Sequence, residues 1–416
     1  MNFLLFLILT LMIGVFLLET AADYLNFTRL SDPLPDEFKD SIDSEKYQLS
    51  LEYQKERTKF EITQRLILLT LTLSFILGGG LNSLDLFIRK FQLNSILTGV
   101  IFIGSLTLLS LIIQLPFSWY ETFTIEEKYG FNKITPSLFF QDRIKEILIG
   151  ICIGGPILFG ILYFFNHTGS HAWLYCWLAL SVFQILLIYL GPALLMPLFN
   201  RFEPLQEGSL KQSIELYVKT RNFKLSGIYT MDGSKRSTKS NAFFTGFGKF
   251  RRLVLFDTLI LKNSEAELVS ILAHEIGHFE KKHILKTMAL SWITTGILFY
   301  FLGLFLNHPA LFSAFQMSQI STYASIIFIS IFFEPILRIF SVGGQMISRI
   351  HEFEADAFSV QTYKNPELLI SALKKLSLDH LSHLTPHPLK VTLDYSHPPI
   401  LERIKRIRKH TQSKSL

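Results

Sequence analysis

The sequence has few cysteines and few charged residues for its length. Only two of its 416 residues are Cys, and both lie inside apolar runs. This excludes a disulfide framework and a C-x-x-C metal knuckle. Charged residues make up 18%, below the roughly 25% typical of soluble domains. With 49% hydrophobic residues and 39 Phe, the composition predicts a membrane protein with soluble parts.

The excess of positive charge is spread along the chain. The formal net charge is +6, but Lys and Arg are distributed over several loops rather than one patch. The distribution therefore does not favour a nucleic-acid partner, and an asymmetric placement across a bilayer explains it better. Nothing in the sequence requires an oligomer.

Seven apolar stretches reach or approach the roughly 20 residues that a helix needs to cross the hydrocarbon layer. They are 3–18, 66–82, 95–115, 146–165, 172–197, 287–306 and 323–343. No Lys or Arg precedes the first stretch, so the basic leader of a signal peptide is missing. We expect this span to be retained; cleavage near the small residues 20–22 is the alternative.

Lys and Arg lie almost entirely on one side of these spans. The loops 19–65, 116–145 and 198–286 and the tail 344–416 contain 37 of the 40. The positive-inside rule places this side in the cytoplasm, with the N-terminus outside. The predicted parts are 1–197 with five spans, 198–286 and 344–416 as two halves of a cytoplasmic domain, and 287–343 with two spans.

Two charged residues interrupt the seventh stretch. Glu334 and Arg338 are four residues apart and share a helical face. An ion pair between them is one interpretation. The other is that both face water or protein inside the bundle, because lipid does not tolerate charge.

Residues 274–278 read HEIGH. On a helix, His274 and His278 share a face, so both imidazoles can reach one zinc ion. Glu275 is adjacent and can accept a proton from water. Gly277 in a helix interior costs about 1 kcal/mol relative to Ala, which close packing of another backbone would explain. A polar helix end with structural histidines is the alternative.

A catalytic zinc site needs a third protein ligand and an open position. His283 is nearby but lacks the metzincin spacing, so we do not assign it as the ligand. Glu352 and Asp356 share one face of a later helix. We predict Glu352 as the third ligand and Asp356 as the hydrogen-bond acceptor that holds a ligand histidine, against the alternative of a solvated face. His351 and Glu354 are interpreted as surface residues.

Residues 240–260 predict an edge strand and a second strand that leads into the motif helix. An exposed edge can pair with an extended peptide, which makes Asn241 and Ala242 candidate substrate-binding residues. A plain hairpin is the alternative. His397 precedes two prolines in extended backbone. It is a candidate oxyanion donor with Arg403 assisting or orienting it, although a lone histidine is more often structural.

These segments resemble the Ste24-type CAAX prenyl proteases, integral-membrane zinc metalloproteases of the M48 class. The resemblance covers nearly the whole chain. It rests on LPFSWYETFTIEEKYGFNK (115–133), GPALLMPLFNRFEPL (191–205), SNAFFTGFGKFRRLVLFDTLI (240–260), LAHEIGHFEKKH (272–283), HEFEADAFSV (351–360) and SHPPILERIKRI (396–407).

The resemblance implies a mainly α-helical fold in which seven transmembrane helices enclose a water-filled chamber. A cytoplasmic zinc metalloprotease domain with a small β-sheet would close it. The implied activity removes the last three residues of proteins whose C-terminal Cys is prenylated. The implied roles are one zinc ion on His274, His278 and Glu352, general base and acid at Glu275, substrate backbone at Asn241, and oxyanion at His397 and Arg403.

Two other functions fit parts of the pattern. An HtpX-like quality-control protease would share the zinc site but typically has four spans. A seven-helix transporter or lipid-binding chamber would carry a structural zinc, which usually has four protein ligands. The expected partners are a peptide or protein substrate and membrane lipid. The expected location is a bacterial inner membrane, or the endoplasmic reticulum in a eukaryote.

Overall fold

The computed structural model describes residues 2–246 and 251–412, and most of them are helical. The helices are α1 (Phe3–Thr28), α2 (Ser44–Leu77), α3 (Gly80–Arg89), α4 (Ser95–Tyr120), α5 (Pro136–Ile149), α6 (Gly155–His167), α7 (Ala172–Leu194), α8 (Ser209–Thr220), α9 (Asp257–Lys262), α10 (Glu265–Glu280), α11 (His283–Phe305), α12 (Pro309–Ala314), α13 (Thr322–Tyr363), α14 (Pro366–Asp379), α15 (Pro388–Asp394) and α16 (Ile400–Gln412). The strands are β1 (Phe202–Pro204), β2 (Gly227–Met231), β3 (Ala242–Thr245) and β4 (Arg252–Phe256).

Within the described residues, seven helical segments are long and apolar enough to cross a membrane, which confirms the predicted number of spans. They are Phe3–Ser31, Ser44–Leu77, Ser95–Glu126, Pro136–His167, Gly169–Leu198, His283–Phe305 and Thr322–Tyr363. Several extend well beyond the apolar stretches, because charged residues continue the same helix. A π-helical turn at Glu121–Glu126 prolongs the third segment.

The membrane helices pack against one another mainly at the end away from the sheet. The apolar core there includes Ile8 of α1, Phe102 of α4, Leu162 of α6 and Phe328 of α13. In the most apolar part of each span, however, at most 22% of the residues are buried. Closely packed helices would bury a continuous apolar stripe. The low burial fits spans that diverge from this core and enclose a chamber.

The described strands form one small mixed sheet in the order β1-β2-β4-β3. β2 and β4 are parallel, and the two outer strands run antiparallel to their neighbours. β3 lies at the edge, as the sequence predicts. The connection between β3 and β4 at 247–250, including Gly248, lies outside the described residues. The sheet packs on α8 and α10 through a core that includes Leu253, Leu255, Leu272 and Ile276.

A capping box fixes the start of α10. Glu267 is buried and accepts hydrogen bonds from Ser264 N at 2.7 Å, Ser371 Oγ at 2.6 Å and Lys375 Nζ at 2.7 Å. Burial raises the pKa of Glu267, but these donors lower it by more, to about 2. The charged carboxylate therefore satisfies the backbone N–H of the N-cap residue Ser264, while Ser264 Oγ accepts from Glu267 N, and the carboxylate also ties α10 to α14.

α13 continues from the seventh span into the segment that contains Glu352 without a break. Within it, Arg338 forms ion pairs with Glu19 of α1 and Asp394 of α15, and donates to Leu393 O at 3.0 Å. Its ion pairs in the described part of the chain do not include Glu334. Of the two interpretations, contact with protein inside the bundle is therefore the one that holds for Arg338.

Candidate active site

The site is built where α10 crosses α13. Ser359 Oγ donates to Ser270 O at 2.9 Å, so a polar side chain of one helix contacts the backbone of the other. At Gly277, a Cβ atom would lie 3.0 Å from Ala355 Cα and 3.2 Å from Ala355 O. The expected close approach of another backbone is therefore present, and it brings the two motifs of the sequence together.

Larger residues at Gly277 should open this crossing in proportion to their size. We expect Gly277→Ala to weaken zinc binding modestly and Gly277→Val to weaken it much more, since overpacking typically costs about 1–3 kcal/mol and displaces backbone. Zinc affinity measured by chelator competition checks the order. Equal affinity in the wild type and Gly277→Val would show that the close contact does not set the metal geometry.

Three side chains at the crossing direct atoms that could bind a metal ion toward one another. The Nε2 atoms of His274 and His278 are 3.1 Å apart. Glu352 Oε1 lies 3.2 Å from His278 Nε2, and Glu352 Oε2 lies 3.4 Å from His274 Nε2. The three residues form a group whose ligand atoms all lie within 4.8 Å of one another.

These distances fit a tetrahedral metal centre. Donors about 2.0–2.1 Å from a tetrahedral zinc ion are separated by about 3.4 Å. Glu352 Oε2 is also buried without a hydrogen-bond partner among the described residues. Such an atom is rare unless a ligand satisfies it. Two imidazoles and a carboxylate are a typical donor set for catalytic zinc.

Asp356 and Arg403 contact the Nδ1 side of the His274 ring. Asp356 Oδ1 accepts a hydrogen bond from His274 Nδ1 at 2.9 Å. Arg403 is buried and donates to both oxygens of Asp356, at 2.6 and 2.8 Å, while its Nη1 lies 3.4 Å from Glu352 Oε2. Burial lowers the pKa of His274, but the nearby carboxylates of Asp356 and Glu352 raise it by more, to about 10. The carboxylates thus favour a cation at this point, whether a proton or a metal ion.

Glu275 lies beside the three metal-binding side chains and lines the adjacent cavity. Burial raises the pKa of its carboxyl, while the imidazoles of His274 and His278 act in the opposite direction. A carboxylate with a raised pKa is a stronger base than one in water and is suited to accept a proton near neutral pH.

The structure contradicts the surface assignment of His351. This residue is 7% exposed, and its ring stacks on His283 with the ring centres 3.9 Å apart. His283 in turn contacts His278 Nδ1 at 3.0 Å and Glu354 Oε2 at 2.9 Å. The third histidine of AHEIGHFEKKH, His283, is the feature of the sequence that could have indicated this cluster. Helical spacing alone does not show that the first turn of α11 packs against α13.

A cavity of about 780 Å³ opens next to the metal-binding group. Its wall includes Asn241, Ala242, His274, Glu275, Glu352, His380, His397 and Arg403. His397 Nε2 lies 3.4 Å from Glu352 Oε1 with 63% of the side chain exposed, and Ser396 Oγ contacts its Nδ1 at 2.9 Å. All the residues predicted for the site therefore converge on one region.

The edge of β3 faces this region. Asn241 O accepts from Phe256 N of β4 at 3.1 Å. Since successive residues of an antiparallel strand direct their backbone groups to opposite sides, those of Ala242 point away from β4. The carbonyl of Ala242 therefore faces the open edge, where it can pair with one more strand. Its N–H donates to Asn241 Oδ1 at 2.8 Å, a side-chain contact that an added strand would replace.

Two family models together match nearly the whole chain. The model of the CAAX prenyl protease N-terminal region, with five membrane helices, matches residues 23–201. The model of peptidase family M48 matches residues 204–411. The second match contains every predicted site residue.

Full-length relatives and a solved structure agree with these matches. CAAX prenyl protease 1 of Saccharomyces cerevisiae is 34% identical, covering 94% of this chain and 92% of the relative. CAAX prenyl protease 1 homolog of Arabidopsis thaliana is 32% identical over 95% of both chains. The crystal structure of S. mikatae Ste24p superposes with a TM-score of 0.92 at 32% identity, covering 97% of this chain and 99% of that one. The chain belongs to the M48 peptidases of the CAAX prenyl protease type and is a multi-pass membrane metalloprotease.

Proposed function

We propose that this chain hydrolyses peptide bonds near the C-terminus of proteins whose terminal Cys is prenylated, using one zinc ion. The observation that carries the proposal is the group of His274, His278 and Glu352 beside Glu275, on the wall of a cavity with an open strand edge. The names of the relatives, CAAX prenyl protease 1 and its homolog, support the choice of a CAAX-type substrate. The N-terminus lies outside and the catalytic parts, 198–286 and 344–416, lie in the cytoplasm.

In this mechanism, His274, His278 and Glu352 would hold the metal, and Asp356 keeps the His274 ring in place. When bound there, zinc would supply Lewis acidity to the scissile carbonyl and to the attacking water. Glu275 accepts the proton from the attacking water and delivers it to the leaving amine. His397, exposed to the cavity beside Glu352, donates to the oxyanion, and Arg403 orients this group through Asp356 and Glu352.

The substrate lies along β3 as an added strand. Ala242 presents its carbonyl to the peptide and exchanges the bond from its N–H to Asn241 Oδ1 for one to the peptide, and the side-chain amide of Asn241 donates to the substrate backbone. Pairing by main-chain hydrogen bonds holds an extended peptide without strict side-chain selection. Substrate choice therefore depends on the prenylated Cys and on the distance between this Cys and the bond that is cut.

Zinc content and cleavage of a farnesylated peptide, measured on the same preparation, test the proposal. We expect one zinc ion per chain and cleavage of the farnesylated peptide well above that of the same peptide without farnesyl. Cleavage that needs no metal would contradict the mechanism. Equal cleavage of both peptides would contradict the prenylated substrate and favour a quality-control protease of the HtpX kind.

A further inference from the structure

The metal-binding group leaves one cluster unexplained, formed by His283, His351 and Glu354. Its members come from the first turn of α11 and from α13. His283 contacts Nδ1 of His278, whereas Glu352 contacts Nε2 on the other side of the ring. His283 is 3% exposed, whereas the Glu354 side chain is 40% exposed. A buried histidine between another histidine and a carboxylate is a polar network that needs a reason.

The chemistry of His278 determines the direction of each hydrogen bond. If Nε2 of His278 binds a metal, that nitrogen carries no proton, so Nδ1 carries it and donates. Its partner at 3.0 Å is His283 Nδ1, which must accept. The proton of His283 is then on Nε2, and it donates to Glu354 Oε2 at 2.9 Å. One assignment of protons therefore satisfies both hydrogen bonds that link His278, His283 and Glu354.

The arrangement parallels the support of the other histidine. His274 Nδ1 is held by Asp356, which Arg403 holds in turn. His283 contacts Nδ1 of His278, and Glu354 in turn contacts His283. The ring of His351 stacks on that of His283 at an interplanar angle of 11°. Hydrogen bonds of this kind orient metal-binding histidines and fix their tautomer.

We propose that His283 and Glu354 are a positioning pair that fixes the ring and tautomer of His278 and thereby sets the zinc affinity of the site. The inference rests on the proposed zinc centre and goes beyond it by assigning the pair a role. His351 holds the His283 ring in the plane that this hydrogen bond requires. The pair touches neither the substrate strand nor the scissile bond in the proposed geometry, so it acts only through His278.

The test compares two replacements of His283 in the full-length chain purified in detergent. His283→Phe keeps the ring and its stacking on His351 but removes both nitrogens. We expect it to lower zinc affinity about 10- to 100-fold, the range for loss of such hydrogen bonds. His283→Asn places an amide oxygen near the position of Nδ1, and we expect it to recover part of that affinity. Chelator competition measures the affinity of each variant.

Two further variants separate positioning from a structural effect. Glu354→Ala changes a partly exposed residue and should lower zinc affinity about tenfold. His167→Phe is the matched control, because its ring also stacks on a neighbour, Tyr163, with centres 4.3 Å apart, on a different span. We expect it to leave zinc affinity unchanged. With cobalt in place of zinc, His283→Phe should shift the visible absorption bands, since they report ligand geometry.

The outcomes are distinct. Wild-type zinc affinity in His283→Phe, or the same loss in His283→Asn as in His283→Phe, overturns the inference. A fall in the melting temperature of the metal-free His283→Phe protein, with no change in the cobalt spectrum, also overturns it. If that variant does not fold, wild-type affinity in Glu354→Ala decides against the pair. A wild-type chain that binds no zinc contradicts the proposed function instead.

Discussion

Glu275→Gln should lower the rate of peptide cleavage by about 10²- to 10⁴-fold, the contribution typical of a general acid–base residue. Gln has nearly the same shape as Glu but does not accept a proton from water. In the proposed mechanism Glu275 transfers the proton twice, from the attacking water and to the leaving amine, so both steps lose their catalyst. The three metal-binding side chains are unchanged, and we expect one zinc ion per chain to remain.

The decisive measurement is the pair of values for zinc content and kcat on the same preparation. Glu280→Gln is a suitable control, since it makes the same change on an exposed residue of α10. Its kcat should equal that of the wild type. Full activity in Glu275→Gln would exclude this residue as the base, and loss of zinc together with activity would show that its role is structural.

Glu352→Ala should remove both zinc and activity. Zinc-finger peptides, in which four ligands hold the ion, bind zinc with a free energy on the order of 12 kcal/mol, which is about 3 kcal/mol for each ligand. We therefore expect loss of Glu352 to cost about 3 kcal/mol of binding free energy. That loss corresponds to over a hundredfold in affinity. The substitution also leaves Arg403 with one buried carboxylate fewer nearby, at 3.4 Å in the intact site. Cleavage should fall below detection at submicromolar free zinc.

Glu267→Gln provides the matched comparison for Glu352→Ala. Both residues are buried glutamates at the α10–α13–α14 junction, but Glu267 contacts Ser264, Ser371 and Lys375 rather than the metal-binding group. We expect Glu267→Gln to lower the melting temperature and to retain zinc. Retention of zinc by Glu352→Ala, or its loss from Glu267→Gln, would contradict the assigned ligand set.

Local sequence patterns were sufficient for much of the site. Spacing of four residues on a helix places His274 with His278 and Glu352 with Asp356, because helix periodicity depends only on the chain itself. The unusual Gly277 indicated a close backbone contact, and the structure has one. The seven spans were also predictable from apolar length and composition, because a membrane imposes a fixed thickness on every crossing.

Contacts between distant segments were not predictable in this way. Spacing along its own helix predicts a surface position for His351. Its burial depends instead on contact with the first turn of α11. The partners of Arg338 are similarly remote, with Glu19 preceding it by 319 residues. The π-helical turn at Glu121–Glu126 has no simple signature in the sequence. Each of these depends on tertiary packing, which overrides local preference.

The long separation in sequence between His274 and its support Arg403 has a consequence during synthesis on the ribosome. Arg403, which holds Asp356 against His274, follows that histidine by 129 residues. At translation speeds of about 5–20 residues per second, the histidine helix precedes this arginine by about 6–26 seconds. The nascent chain therefore passes through much of its membrane insertion before Arg403 can complete the contacts around His274.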